Sequence, residues 1–150
     1  SVHSQICNLL LDLRDEYELT YLFISHDLSV IEHICDRVAI MYLGQIVEMG
    51  QIGDVISHPR HPYTRALIQA VPIPDPDFVG NDDLPLKSMQ LASLEGRGEG
   101  CAFIDRCLYS CDQCREKVCY QQTDTAKVLC NNLSAVPSTP IYDVTSMDNH

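Results

Sequence analysis

Two sets of side chains in this sequence could do chemistry: a histidine closing an apolar run, and a crowd of cysteines toward the carboxy end. The histidine is His26, in Tyr21-Leu22-Phe23-Ile24-Ser25-His26-Asp27, where four apolar residues stop at a small polar residue, an imidazole and a carboxylate. Six of the eight cysteines, Cys101, Cys107, Cys111, Cys114, Cys119 and Cys130, form the second set, while Cys7 and Cys35 stand alone. Thiolates are soft ligands, and several at short spacings suit zinc or an iron-sulfur cluster, either of which can organise a segment too small for its own core. Cys111-Asp112-Gln113-Cys114 is also a C-x2-C pair, which on its own suggests zinc or redox chemistry, but no thioredoxin-like βαβ pattern surrounds it. Reduced, metal-free thiols are the plainer alternative.

The elements that must position these groups read as an α/β arrangement. Tyr21 to Ile24 has the composition of a strand covered on both faces, as in parallel sheets. Ligands of such domains gather at the carboxyl ends of strands, so His26 is expected to face an anion there. Asp27 is expected to cap a helix from Leu28 to about Cys35, whose amino end favours negative charge. The competing reading has His26 closing the strand and bonding the next loop. Upstream, Val2, Ile6, Leu9, Leu10 and Leu13 recur at helical spacing and predict an amphipathic helix to about Tyr17. Downstream, Arg37 to Tyr42 and Gln45 to Met49 predict a hairpin at the sheet edge, turning at Leu43-Gly44. Gln51 to Ser57 reads as a short helix, His58-Pro59-Arg60-His61-Pro62 breaks it, and a further helix runs from Tyr63 through Ala70 with Ala66, Leu67 and Ala70 on one face.

Composition narrows the function classes. A formal net charge of -11 argues against broad electrostatic attraction to nucleic acid or anionic lipid, since both need clustered Lys and Arg. No secretory signal and no long apolar span is evident, so any membrane role goes through a partner. Without such a signal, cysteines are expected as metal ligands or free thiols more than as a disulfide frame. Ser1 opens directly into a helical pattern without a methionine, and the amino end is expected to be a cut. Four stretches follow: residues 1–71 as a folded α/β part, 72–99 as a Pro- and Gly-containing linker, 100–131 as a Cys-rich region, and 132–150 as a disordered tail.

Ser25-His26-Asp27-Leu28, followed by Asp36-Arg37-Val38-Ala39-Ile40-Met41-Tyr42-Leu43-Gly44-Gln45-Ile46-Val47-Glu48-Met49-Gly50, resembles the switch-histidine loop and hairpin of ABC-transporter ATPases. Ser1-Val2-His3-Ser4-Gln5-Ile6 is similar to the segment after that family's D-loop. His61-Pro62-Tyr63-Thr64-Arg65-Ala66-Leu67, with Val71-Pro72-Ile73-Pro74-Asp75-Pro76, resembles the carboxy-terminal region of the oligopeptide and dipeptide importers. His61 identifies the family; capping and packing are the role expected of it.

That resemblance implies the fold class of a carboxy-terminal fragment of a P-loop, ABC-type nucleotide-binding domain with a small Cys-rich extension. It implies a subunit that binds ATP and Mg, dimerises with a second ATP-binding subunit, and drives transmembrane permease subunits fed by a peptide-binding protein, peripherally at the cytoplasmic face of the membrane. His26 would be catalytic, contacting the ATP γ-phosphate and holding the attacking water. No Walker A, signature or Walker B motif occurs in these 150 residues, so the chain alone is expected to be inactive. Cys101, Cys107, Cys114 and Cys130 match the family's cysteine pattern, which in some members holds a 4Fe-4S cluster, with zinc as the other metal considered. Leu108 and Ala126 stand where the family often has proline and histidine, and Cys111 and Cys119 are additional. The alternative function is a free-standing Cys-rich metal-binding or interaction module; a thiol redox enzyme is a third.

Overall fold

The computed structural model describes residues 2–71, 86–87 and 98–141. The linker expected over 72–99 lies mostly outside the described residues, as does 142–150.

The first helix, α1 (Val2–Tyr17), forms as its periodicity predicts. Its apolar stripe is nevertheless open: Ile6 and Leu9 are about half exposed. The chain then runs without regular structure or pairing, and the strand expected at Tyr21–Ile24 is not formed. Leu22 and Ile24 are 90% and 95% exposed, while Tyr21 and Phe23 contact each other edge to face at 5.5 Å. The apolar run describes the two-sided cover a central strand requires, and no described segment offers that cover or a neighbouring edge. Asp27 does cap α2 (Leu28–Ile34), its carboxylate accepting from Ser29 N at 3.0 Å and Val30 N at 3.4 Å.

β1 (Arg37–Tyr42) and β2 (Gln45–Gln51) form the predicted hairpin. Both turn residues take positive φ, Leu43 at 48° and Gly44 at 81°, the backbone that lets a two-residue loop follow the twist of its strands. Val38, Ile40 and Tyr42 alternate inward. A bulge opposite Ile40/Met41 leaves Val47 unpaired, and Val47 and Glu48 are consecutively buried.

The hairpin is not confined to an edge. β4 (Ala126–Leu129) pairs antiparallel with β2, and β3 (Tyr120–Gln122) pairs with β4, giving the order β1-β2-β4-β3. All described pairings are antiparallel, so the parallel sheet inferred from the Tyr21 run is corrected to a mixed helix and antiparallel arrangement. Glu48 stands opposite Val128 and Gly50 opposite Ala126. At Gly50 a Cβ would meet Thr125 O at 2.6 Å, so only glycine allows the two strands this approach.

α3 (Ile52–Ser57) and α4 (Pro62–Gln69) follow the hairpin. On α4 the buried set includes Thr64, Arg65 and Ile68 besides Ala66, and Ala70 is exposed, contrary to the expected face. Phe103, 1% exposed, stacks edge to face on Tyr42 at 5.2 Å and on Tyr63 at 5.6 Å, tying the Cys-rich loop to hairpin and helix. The tail expected to be disordered from 132 is ordered to 141. Leu133 and Val136 are buried, and the Arg65 guanidinium donates to Pro137 O and Thr139 O.

Candidate functional site

The geometry centres on a buried carboxylate. The Val47 bulge keeps Glu48 on the inner face beside Val38 and Ile40, with no exposed surface. Its two oxygens divide between two amides, Oε1 accepting from Arg60 N and Oε2 from His61 N, each at 2.8 Å. These donors lie on the non-helical run before α4, where Pro59 and Pro62 prevent a regular ladder from using them. Burial pushes the Glu48 carboxyl above its usual range, against the pull of the His61 and Arg60 amides.

His61 sits directly on this carboxylate and is itself 1% exposed. As the N-cap of α4 its Nδ1 accepts from Tyr63 N at 3.0 Å, leaving the proton on Nε2. The ring also bonds the Leu129 backbone, so one imidazole joins α4 to β4. Burial lowers its pKa to about 4, and the ring is neutral. This is the capping and packing role expected for it. Arg65, one turn on, spends its guanidinium on the carbonyls of Pro59, Pro137 and Thr139. Sequence reading missed Glu48, Arg65 and Phe103. A charged residue inside a hairpin strand, four residues from its turn, was the available signal for Glu48.

On the far side of His61 a narrow crevice is lined by Phe103, Cys101, Cys107, Cys114 and Cys130. The four cysteines singled out from sequence are thus gathered around one space. The Cys107 thiol is pushed up to about 12 and that of Cys130 to about 11, both by burial, which also raises Cys101 and Cys114. Neutral thiols are therefore the resting state. Among the described residues no three His, Cys, Asp or Glu side chains stand at a spacing that would hold a metal ion. Cys111, one of the two additional cysteines, has its Sγ 3.8 Å from that of Cys114. Cys119 is exposed.

His26 lies apart from this cluster, exposed on the loop before α2, whose cap Asp27 is held by Ser29 Oγ at 2.6 Å. No helix among the described residues is long and apolar enough to cross a membrane.

Residues 47–114 match the family described as "Oligopeptide/dipeptide transporter, C-terminal region". The oligopeptide transport ATP-binding protein OppF of Escherichia coli is 46% identical over 114 residues, 76% of this chain and 34% of that protein. The dipeptide transport ATP-binding protein DppF of Haemophilus influenzae is 43% identical over 132 residues, 87% of this chain and 40% of its own length. A putative peptide import ATP-binding protein of Brucella ovis is 44% identical over 118 residues, 79% of this chain and 37% of that protein. The chain thus spans between about a third and two fifths of the curated relatives it matches.

Proposed function

The chain belongs to the oligopeptide/dipeptide transporter ATP-binding family through its carboxy-terminal region, and from that premise we propose that it is part of an ATP-binding subunit coupling ATP hydrolysis to peptide import. The observation that carries the reading is the match over 47–114. That stretch holds the inner strand β2, the His61-capped helix α4 and most of the cysteine loop. In this reading the chain completes a P-loop ATPase domain, peripheral at the cytoplasmic face of the membrane. Permease subunits, a second ATP-binding subunit and, indirectly, a peptide-binding protein are its partners.

His26 is then the group that contacts the γ-phosphate. Three features support the role: it follows the apolar run Tyr21–Ile24, it is exposed, and the core makes no use of its ring. Phosphoryl transfer depends on positioning and charge stabilisation, and an imidazole donor beside the γ-phosphate supplies both. ATP and Mg would be held by residues outside this sequence, which has no phosphate-binding glycine loop. The test uses the subunit assembled in its transporter. His26→Ala is expected to lower ATP hydrolysis by about a hundredfold or more while ATP binding is retained, and the 150-residue chain alone is expected to show no turnover. Unchanged hydrolysis in the variant would refute the assignment.

A second reading concerns Cys101, Cys107, Cys114 and Cys130, which we propose as a site for a thiophilic metal, zinc or an iron-sulfur cluster. Their shared crevice favours it. The raised thiol pKa values and the open spacing count against it, since binding would have to displace protons and draw the sulfurs inward. Purification without oxygen followed by assay of iron, sulfide and zinc decides: metal well below one equivalent per chain removes this reading and leaves the transporter assignment standing.

A further inference from the structure

We propose that Cys111 is a thiol–disulfide exchange site for a small zwitterionic peptide disulfide such as glutathione disulfide, with Cys114 as the thiol that resolves the mixed disulfide. Three independent observations converge on it. First, Cys111 lines an open cavity of about 320 Å³ whose walls carry Lys87 and Arg115 as cations and Asp105 and Asp112 as carboxylates. That volume lies near the lower end for small-molecule sites. Two charges of each sign suit a ligand bearing both carboxylates and an ammonium group. Lys87 is placed at the rim by donating to Ser110 Oγ at 2.6 Å.

Second, Cys111 is only half-buried, whereas Cys114 behind it is 5% exposed. A dissolved disulfide therefore meets Cys111 first. Third, the two sulfurs are 3.8 Å apart, and Cys114 N donates to Cys111 O at 3.0 Å, closing a tight turn. Such a turn holds its end α-carbons within about 7 Å, the range a disulfide can bridge.

The chemistry balances without any group the cavity lacks. The Cys111 thiolate attacks one sulfur of the peptide disulfide; the new Cys111–sulfur bond forms as the old sulfur–sulfur bond breaks, and one peptide thiolate leaves with the electron pair. Cys114 then attacks the Cys111 sulfur, expelling the second peptide thiolate. The protein thiols lose two electrons to the disulfide, and their two protons end on the two released thiols. Cys119 is exposed but does not line this cavity, and its Sγ lies 3.8 Å from Lys117 O.

The experiment uses the full chain carrying Cys119→Ser, reduced and chelator-treated, mixed with glutathione disulfide and followed by mass spectrometry with peptide mapping. A transient glutathione adduct on Cys111 is expected, converting to a Cys111–Cys114 disulfide. Adding Cys114→Ser should make the Cys111 adduct accumulate, and Cys111→Ser should abolish both products. Replacing Lys87 and Arg115 together by alanine should slow reaction with glutathione disulfide about tenfold, two surface ionic contacts being lost at once, and leave the rate with uncharged hydroxyethyl disulfide within about twofold. The proposal is overturned if the adduct forms elsewhere than Cys111, if the first protein disulfide omits Cys111, or if both disulfides slow equally.

Discussion

Replacing Glu48 by glutamine tests whether a buried carboxylate organises this fold. The substitution preserves volume and one acceptor oxygen, but its NH2 group must then face either Arg60 N or His61 N, donor against donor. Each amide now bonds a carboxylate oxygen at 2.8 Å, and a bond to a charged group contributes about 1.5–3 kcal/mol while an unmet buried donor costs about 1–3 kcal/mol. Relief from burying the charge offsets part of that loss. The net expectation for Glu48→Gln is a destabilisation of about 2 kcal/mol near neutral pH, rising to about 4 kcal/mol for Glu48→Ala, where both amides lose their partner and a cavity opens. The chain has no tryptophan, so urea unfolding is followed by far-ultraviolet circular dichroism with tyrosine emission as the second probe. The folded pKa of Glu48 lies above its ordinary 4.5, so its proton favours the native state, and this contribution is lost as pH rises through the folded value. The gap between wild type and Glu48→Gln should accordingly be widest below about pH 4.5 and narrow toward neutrality. A variant as stable as wild type within about 0.5 kcal/mol, or a gap that widens with rising pH, refutes the reasoning.

Other expectations follow from the same core. Gly50→Ala should destabilise by at least about 1–3 kcal/mol, because the added methyl meets the Thr125 carbonyl at 2.6 Å; hydrogen exchange should show the β4 amides losing protection before those of β1. His61, with its pKa lowered to about 4 from 6.5, binds its proton in the unfolded chain first. Stability should fall as pH drops through that window, by up to about 3 kcal/mol, and denaturation of His61→Asn should lack that part of the slope. Arg65→Met should release the segment around Pro137 to Thr139, seen as protease cleavage there before cleavage in the hairpin, since its guanidinium is the donor both carbonyls share.

The hairpin and the helices were legible because each rests on a local pattern. Val38, Ile40 and Tyr42 alternate, Pro62 starts α4 after a breaker, and Asp27 caps α2 through its own side chain. Tyr21 to Ile24 misled for a physical reason: composition reports the environment a strand needs, and Leu22 and Ile24 stand exposed without it. β3 and β4 were missed because they are short and their pairing partner lies far away in sequence. Glu48 escaped notice because the Val47 bulge breaks the alternation that would have been used to orient it. Arg65 reads as an ordinary surface charge on α4 until its acceptors, two of them backbone carbonyls more than 70 residues onward, are known. The cysteines were placed together by their spacing, but their separations and protonation follow from burial that spacing does not encode.

The pairing of β2 with β4 joins residues 80 positions apart, as in Glu48 opposite Val128, while the β1–β2 turn, the α4 cap and both Glu48 bonds close within 13 residues. Loop-closure entropy grows with the logarithm of length, so the local contacts form at less cost and the distant strand docks onto them. Among the described elements the cysteine loop, closed by β4, is then expected to be shielded last. Its thiols pass through an interval in which oxidants reach all of them, and the speed of β4 docking governs whether they enter the crevice reduced.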